Sequence, residues 1–191
     1  MVGGSSRHSR PGWDADQAVT VLYGAHHRAL AQLATLLVND VVVAEEIVEA
    51  AFIAMHAAWR RLRSSDRALP YLQRAVVRRA RSRRATDPGP AGRRLDPSQT
   101  GQSDITSSDA LLVAALYALP ARQREALVLR YYANLPDTQI AFVMGIPLRS
   151  ASNYVERGTA YLRDALERHH TPTADRLAGD AVTARTPPTP S

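Results

Sequence analysis

Leu135-Pro136-Asp137-Thr138-Gln139-Ile140-Ala141-Phe142-Val143-Met144-Gly145-Ile146-Pro147-Leu148-Arg149-Ser150-Ala151-Ser152-Asn153 reads as two helices meeting at a glycine. Pro136 stands where a helix begins, a place where its missing N–H costs nothing. A short helix then runs from Asp137 to Met144. Gly145 can take the positive φ of a tight turn, and a second helix is expected from Leu148 to about Arg168. The small Ala141, four residues before the glycine, lets the two helices cross closely. Ile140, Met144, Ile146, Ala151 and Tyr154 or Val155 would close the core between them. The early outer face of the second helix carries Arg149, Ser150, Ser152, Asn153, Glu156 and Arg157, where a recognition helix meets base edges in a major groove. Helix corners of this kind also occur in proteins that never touch DNA, so the motif alone leaves both readings open.

Upstream of this corner, a helix is expected through Leu111, Leu112, Ala115, Leu116 and Leu119, with Ser107-Ser108 as its caps. Pro120 opens the next, whose buried side is Ala126, Leu127, Val128, Leu129 and Tyr131. Before this block lies a stretch with Pro88, Gly89, Pro90, Gly92, Pro97 and Gly101, which has too few apolar residues to offset its ordering entropy. It is expected to be a flexible linker, and the tail ending Pro187-Pro188-Thr189-Pro190 is of the same kind.

The first block begins at Asp14-Ala15-Asp16-Gln17, a helix-start pattern. Val19, Leu22, Tyr23, His26, Leu30, Leu33 and Leu37 then recur every three or four residues as one buried stripe. After a break at Asn39-Asp40, a second helix is expected over 43–62 with Ile47, Val48, Ala51, Phe52, Met55, Trp59 and Leu62 inward. A third runs from near Asp66 to about Arg84, with Pro70 tolerated in its first turn. The fold class is therefore all-α: two small helical domains joined by a flexible linker, the second containing a helix-turn-helix. The expected division is an N-terminal arm (1–16), a first domain (17–85), a linker (86–108), a second domain (109–170) and a Pro/Thr-rich tail (171–191).

Charge adds a function class to this outline. All 24 basic residues of the 191-residue chain are arginine, against 18 acids, for a net charge of +6. From Arg60 to Arg94 there are 12 arginines and only Asp66 and Asp87 as acids, so this segment carries +10 and the remainder −4. Arg67, Arg74, Arg78 and Arg81 fall in one stripe of the third helix, opposite Leu69, Leu72 and Val76. Guanidinium forks match phosphate oxygens, so the stripe suits a nucleic-acid backbone. A solvated basic face is the bland reading, and an anionic membrane surface is a further one.

Other classes fare worse. The chain has no cysteine, which rules out disulfides and zinc-thiolate sites. Aromatics are only 6% of the residues and no run alternates with period two, which argues against a β-sandwich. There is no phosphate-binding glycine loop and no paired nucleophile and base. The one Glu-x-x-His, Glu167 to His170, has no second copy to build a di-metal site. No enzymatic activity, cofactor or metal is expected. With no signal sequence and no apolar span, a cytoplasmic protein without membrane insertion is expected.

Leu119-Pro120-Ala121-Arg122-Gln123-Arg124-Glu125-Ala126-Leu127-Val128-Leu129-Arg130-Tyr131-Tyr132, followed by the helix-turn-helix, resembles the C-terminal domain of extracytoplasmic-function sigma factors, group IV of the sigma-70 superfamily. Leu22-Tyr23, the Asp40 break, Ala44-Glu45-Glu46-Ile47-Val48-Glu49-Ala50-Ala51-Phe52 and Trp59 resemble the N-terminal domain of that family. Tyr71-Leu72-Gln73-Arg74-Ala75-Val76-Val77-Arg78 resembles its promoter-melting helix. The likeness spans Gln17 to Leu166 in the family's order, and is of sigma-E-like type.

This resemblance implies an RNA polymerase sigma factor that directs promoter recognition and transcription initiation. Glu45, Glu46, Glu49 and Phe52 would then belong to the surface that binds core RNA polymerase. Arg67, Arg74, Arg78 and Arg81 would meet minus-ten promoter DNA, and Arg149, Ser150, Ser152, Asn153 and Arg157 would face the minus-thirty-five element. An anti-sigma protein is implied as a further partner. The alternative is a diverged DNA-binding regulator that kept the fold but neither binds core polymerase nor melts promoters. It draws on departures from the family pattern: Glu49-Ala50 in place of Gln-Glu, Arg78 in place of Asn, Ser152 in place of a lysine, and Ala151 in place of a core valine. That last change is expected to weaken the helix-turn-helix by ~1–2 kcal/mol if the space is not refilled.

Overall fold

The computed structural model describes residues 14–62, 67–86 and 107–170. The residues expected to form the body of the linker and the tail, and the first thirteen of the N-terminal arm, lie outside this range. All regular structure among the described residues is helical, in two groups.

In the first group, α1 (Ala15–Val38) starts as its sequence predicts, with the Asp14 carboxylate accepting the Gln17 N–H at 2.8 Å. It stops at Asn39, whose φ of 62° is left-handed and whose N–H closes on the Thr35 carbonyl. Asn tolerates this conformation better than other non-glycine residues. The Asp40 carboxylate then caps α2 by accepting the Val43 N–H at 3.0 Å, so α2 (Val41–Leu62) begins two residues earlier than its apolar stripe indicates. α3 (Ala68–Thr86) lies against both. Ile47, Val48, Ala51, Phe52, Met55 and Trp59 of α2 and Leu72 and Val76 of α3 are buried, as their spacing requires. Tyr23 is the exception: it lies at the surface, stacked on His27 with ring centroids 4.3 Å apart.

The second group holds α4 (Ser107–Ala118), α5 (Ala121–Leu127), α6 (Asp137–Met144) and α7 (Leu148–His170). Of the apolar residues expected to bury α4, only Leu119, just past its end, is buried, and Leu112 is exposed. α5 widens into a π-helical segment over Val128–Tyr132, where the Ala133 N–H reaches the Val128 carbonyl at 3.1 Å. The extra residue per turn rotates the side chains after it, which overturns the inward placement of Tyr131: it is 64% exposed. Gly145 has a φ of 67° and ends α6 as expected. Ile140, Val143, Met144, Ala151 and Val155 form the buried seam of the helix-turn-helix, with Ala151 fully enclosed.

A mid-helix glycine also matters here. A Cβ on Gly158 would lie 2.9 Å from the Leu127 side chain, so the bare backbone lets α7 approach α5 closely.

The two groups touch directly. α6 packs on α3, the π segment lies against α1, and one continuous cluster of buried side chains runs through both.

Candidate nucleic-acid interface

Three surfaces hold the residues singled out from sequence. On α7, Arg149, Asn153 and Arg157 are exposed and succeed one another at four-residue steps, so they share a stripe. Ser150 and Ser152 are half-buried. The Ser152 hydroxyl donates to Asp137 at 2.6 Å, and Asp137 also lies 3.4 Å from the Arg130 guanidinium. Ser152 therefore staples α7 to α6, and its oxygen is less available to a base edge than its place on the helix indicates. The Gly145 turn aims the whole stripe.

Arg67, just ahead of α3, and Arg74 and Arg78 on it are exposed, while Arg81 is half-buried. Arg81 donates to both carboxylate oxygens of Glu125, at 3.2 and 2.6 Å. The Arg74 guanidinium lies over the Phe142 ring, 5.2 Å from its centre. Beside them an open cleft of about 750 Å³ is bordered by Arg67, Tyr71 and Arg74 of the first group and Thr138, Gln139 and Phe142 of the second. Burial, and next the positive charge of Arg78, lower the pKa of Arg79, the neighbour of the stripe that turns inward.

On α2, Glu49 is exposed, Glu46 pairs with Arg83, and Glu45 lies 2.9 Å from the His27 ring. Phe52 must be removed from this surface. It is 3% exposed and packs against Tyr23, so it supports the helix from within. Val42 and Ile53, 70% and 71% exposed, are the apolar side chains that align with Glu46 and Glu49 on the outer face, at steps of four, three and four. A helical projection of the sequence would have found both.

The comparisons with known proteins respect this division. The sigma-70 region 2 family matches residues 22–87, and the sigma-70 region 4 family matches residues 109–162. The chain belongs to the sigma-70 family. The RNA polymerase sigma-E factor of Streptomyces avermitilis is 25% identical over 142 residues, covering 73% of this chain and 79% of that protein. The sigma-E factor of Streptomyces coelicolor is 23% identical over 141 residues, covering 72% and 80%. The solved structure of CnrH in complex with the cytosolic domain of CnrY shares the fold, with a TM-score of 0.60 at 22% identity over 81% of this chain and 95% of that one.

This protein is thus an extracytoplasmic-function sigma factor serving transcription initiation, and a regulator that retained only the fold is not favoured. Sigma factors generally act as non-enzymatic DNA-binding regulators, with core RNA polymerase and promoter DNA as the partners their family implies. Region 2 corresponds to α1 to α3, and region 4 to α4 to α7. No helix among the described residues is long and apolar enough to cross a membrane.

The residues between the regions escaped the sequence reading. Arg124 is buried and donates to the carbonyls of Leu116, Tyr117 and Leu119, and to that of Leu37 in region 2. Burial, and next the charge of Arg84, lower its pKa to about 10. Burial raises the neighbouring Tyr117 phenol to about 12, against the opposing charges of Arg124 and Arg84. The partners of these side chains are more than eighty residues away in sequence for Leu37 and Thr35, and no local pattern announces such pairs.

Proposed function

We propose that this sigma factor divides its work among three helix faces. The outer face of α2, with Glu45, Glu46, Glu49, Val42 and Ile53, binds core RNA polymerase. An exposed apolar pair flanking acids matches the usual makeup of a protein interface better than acids alone. The basic face of α3, with Arg67, Arg74, Arg78 and Arg81, takes the phosphates of the minus-ten strand. The outer face of α7 reads the minus-thirty-five duplex, with Arg149, Asn153 and Arg157 forming the contact stripe and Ser150 and Ser152 along its edge. Opening of the duplex draws on binding energy from captured bases and phosphates and needs no catalytic side chain. The protein works in the cytoplasm.

The observation that carries this reading is the presence, in one chain and in family order, of an acidic face, a basic face and a glycine-aimed recognition stripe. The test is run-off transcription with purified core polymerase and DNA from the same organism. Binding with specific transcripts is expected; a folded chain that fails to bind the polymerase at micromolar concentration overturns it.

A protein that restrains the factor is proposed as a further partner, supported by the fold shared with CnrH, which was solved with the cytosolic domain of CnrY. The segment after His170 would contribute to that contact. Deleting it should weaken capture of the restraining protein, and unchanged capture and unchanged activity would dismiss the role.

A further inference from the structure

We propose that the two regions are latched directly on each other through Glu125, and that the latch withdraws Arg81, one end of the basic face of α3, from DNA. The inference rests on the assignment of that face to DNA made above. Its chemistry starts from one carboxylate. The Glu125 side chain is 4% exposed, and within its own region the nearest guanidinium, that of Arg122, is 3.5 Å away. Arg81 of region 2 supplies the rest, with one N–H to each oxygen. A carboxylate bound by such a fork occupies the geometry that a phosphate would use, so Arg81 serves Glu125 or DNA but not both.

Adjacent contacts make the closure a surface and not a single pair. The Phe142 ring lies against one side of the Arg74 guanidinium, which otherwise stays exposed. The Tyr117 hydroxyl donates to the Thr35 carbonyl at 2.9 Å, and the Tyr132 hydroxyl to the Gln32 side chain at 2.6 Å. Arg124 reaches the Leu37 carbonyl at the end of α1. With the regions closed, Arg78 and Arg67 remain outward, but the stripe can no longer be tracked by a strand along its whole length. The apparent affinity of α3 for DNA is then its intrinsic affinity scaled by the fraction of molecules that are open.

The absence of native cysteine makes the test direct. Ala57→Cys on α2 and Ala160→Cys on α7, both exposed positions, accept a donor and an acceptor dye in the full chain. Energy transfer then reports the separation of the regions with no DNA present. Glu125→Gln should lower the transfer and tighten binding of a fluorescent single-stranded minus-ten oligonucleotide, by about tenfold if about a tenth of the unaltered molecules are open. Should Glu125→Gln not fold, Arg81→Glu should lower the transfer, and Arg81→Glu with Glu125→Arg should restore it. Unchanged transfer in these variants overturns the latch; lowered transfer with unchanged oligonucleotide affinity overturns its inhibitory role. Lowered transfer in a protein that binds no oligonucleotide in either form overturns the DNA assignment of α3 and leaves the latch standing.

Discussion

The two arginine-bearing faces of this sigma factor differ in what surrounds them. On α7, Arg149 and Arg157 stand clear of the rest of the molecule, whereas on α3 Arg81 is held by Glu125 and Arg74 lies over Phe142. Both stripes obey the same helical spacing, and both look equally available in a helical projection. The difference comes from the neighbour each helix acquires: α6 and α5 lie on α3, while the outer side of α7 has none among the described residues. The arginine stripe of α7 is therefore open along its length, while that of α3 is engaged within the protein at Arg81 and flanked at Arg74.

The strongest way to break this contrast is to loosen the seam that creates it. Arg124→Ala removes the donor shared by four carbonyls, leaving buried acceptors unpaired, and should cost about 3 kcal/mol of stability in urea unfolding. A loss within the range of a surface substitution would show that the seam contributes little. On the open face, Arg149→Ala should change promoter preference by about 1–3 kcal/mol between matched and mismatched minus-thirty-five duplexes, with stability altered by less than ~0.5 kcal/mol. Competition binding and a thermal melt separate the two quantities.

Gly145→Ala keeps the charges of both faces and strains the turn that aims α7. The left-handed backbone there should cost about 1–2 kcal/mol, read from the same unfolding curves. Arg78→Ala tests the part of α3 that closure leaves outward. It should weaken binding evenly across sequences and reduce the salt slope by about 1, whereas a change in sequence preference would identify a base reader.

The smallest effect belongs to the seam's phenol. Tyr117 is raised in the folded protein to about 12 from an ordinary 10, so its stabilising contribution is whole below pH 10 and is lost as pH rises through 12. An alkaline absorbance titration should show a late-ionising phenol that Tyr117→Phe removes.

Much of this was legible in the chain itself. The α2 stripe, the Asp14 cap and the Gly145 turn are local, since each depends on residues within a turn or two. The resemblance to sigma factors could be read because Leu119 to Tyr132 and the helix-turn-helix stand in order behind the acidic and basic helices. Phe52 was misplaced because a family motif gives the helix of a contact residue but not the side it faces. Tyr131 was misplaced because the π segment adds a residue to the turn, a change that periodicity at 3.6 cannot register. The undersized Ala151 shows the same limit, since whether its neighbours close around it is a matter of packing.

The sequence by itself determined that this protein is helical, that it has two regions, that its positive charge is concentrated in one segment, and that its order of motifs is that of a sigma factor. These properties come from spacing, composition and short-range capping. Only the tertiary structure decided that Glu125 meets Arg81 across 44 residues, that Arg124 ties the end of α1 to α4, and that one end of the α3 arginine stripe is engaged within the protein while the stripe of α7 stands open. Such pairings depend on where distant helices come to rest, and that is set by the burial of a shared core and not by any neighbour along the chain.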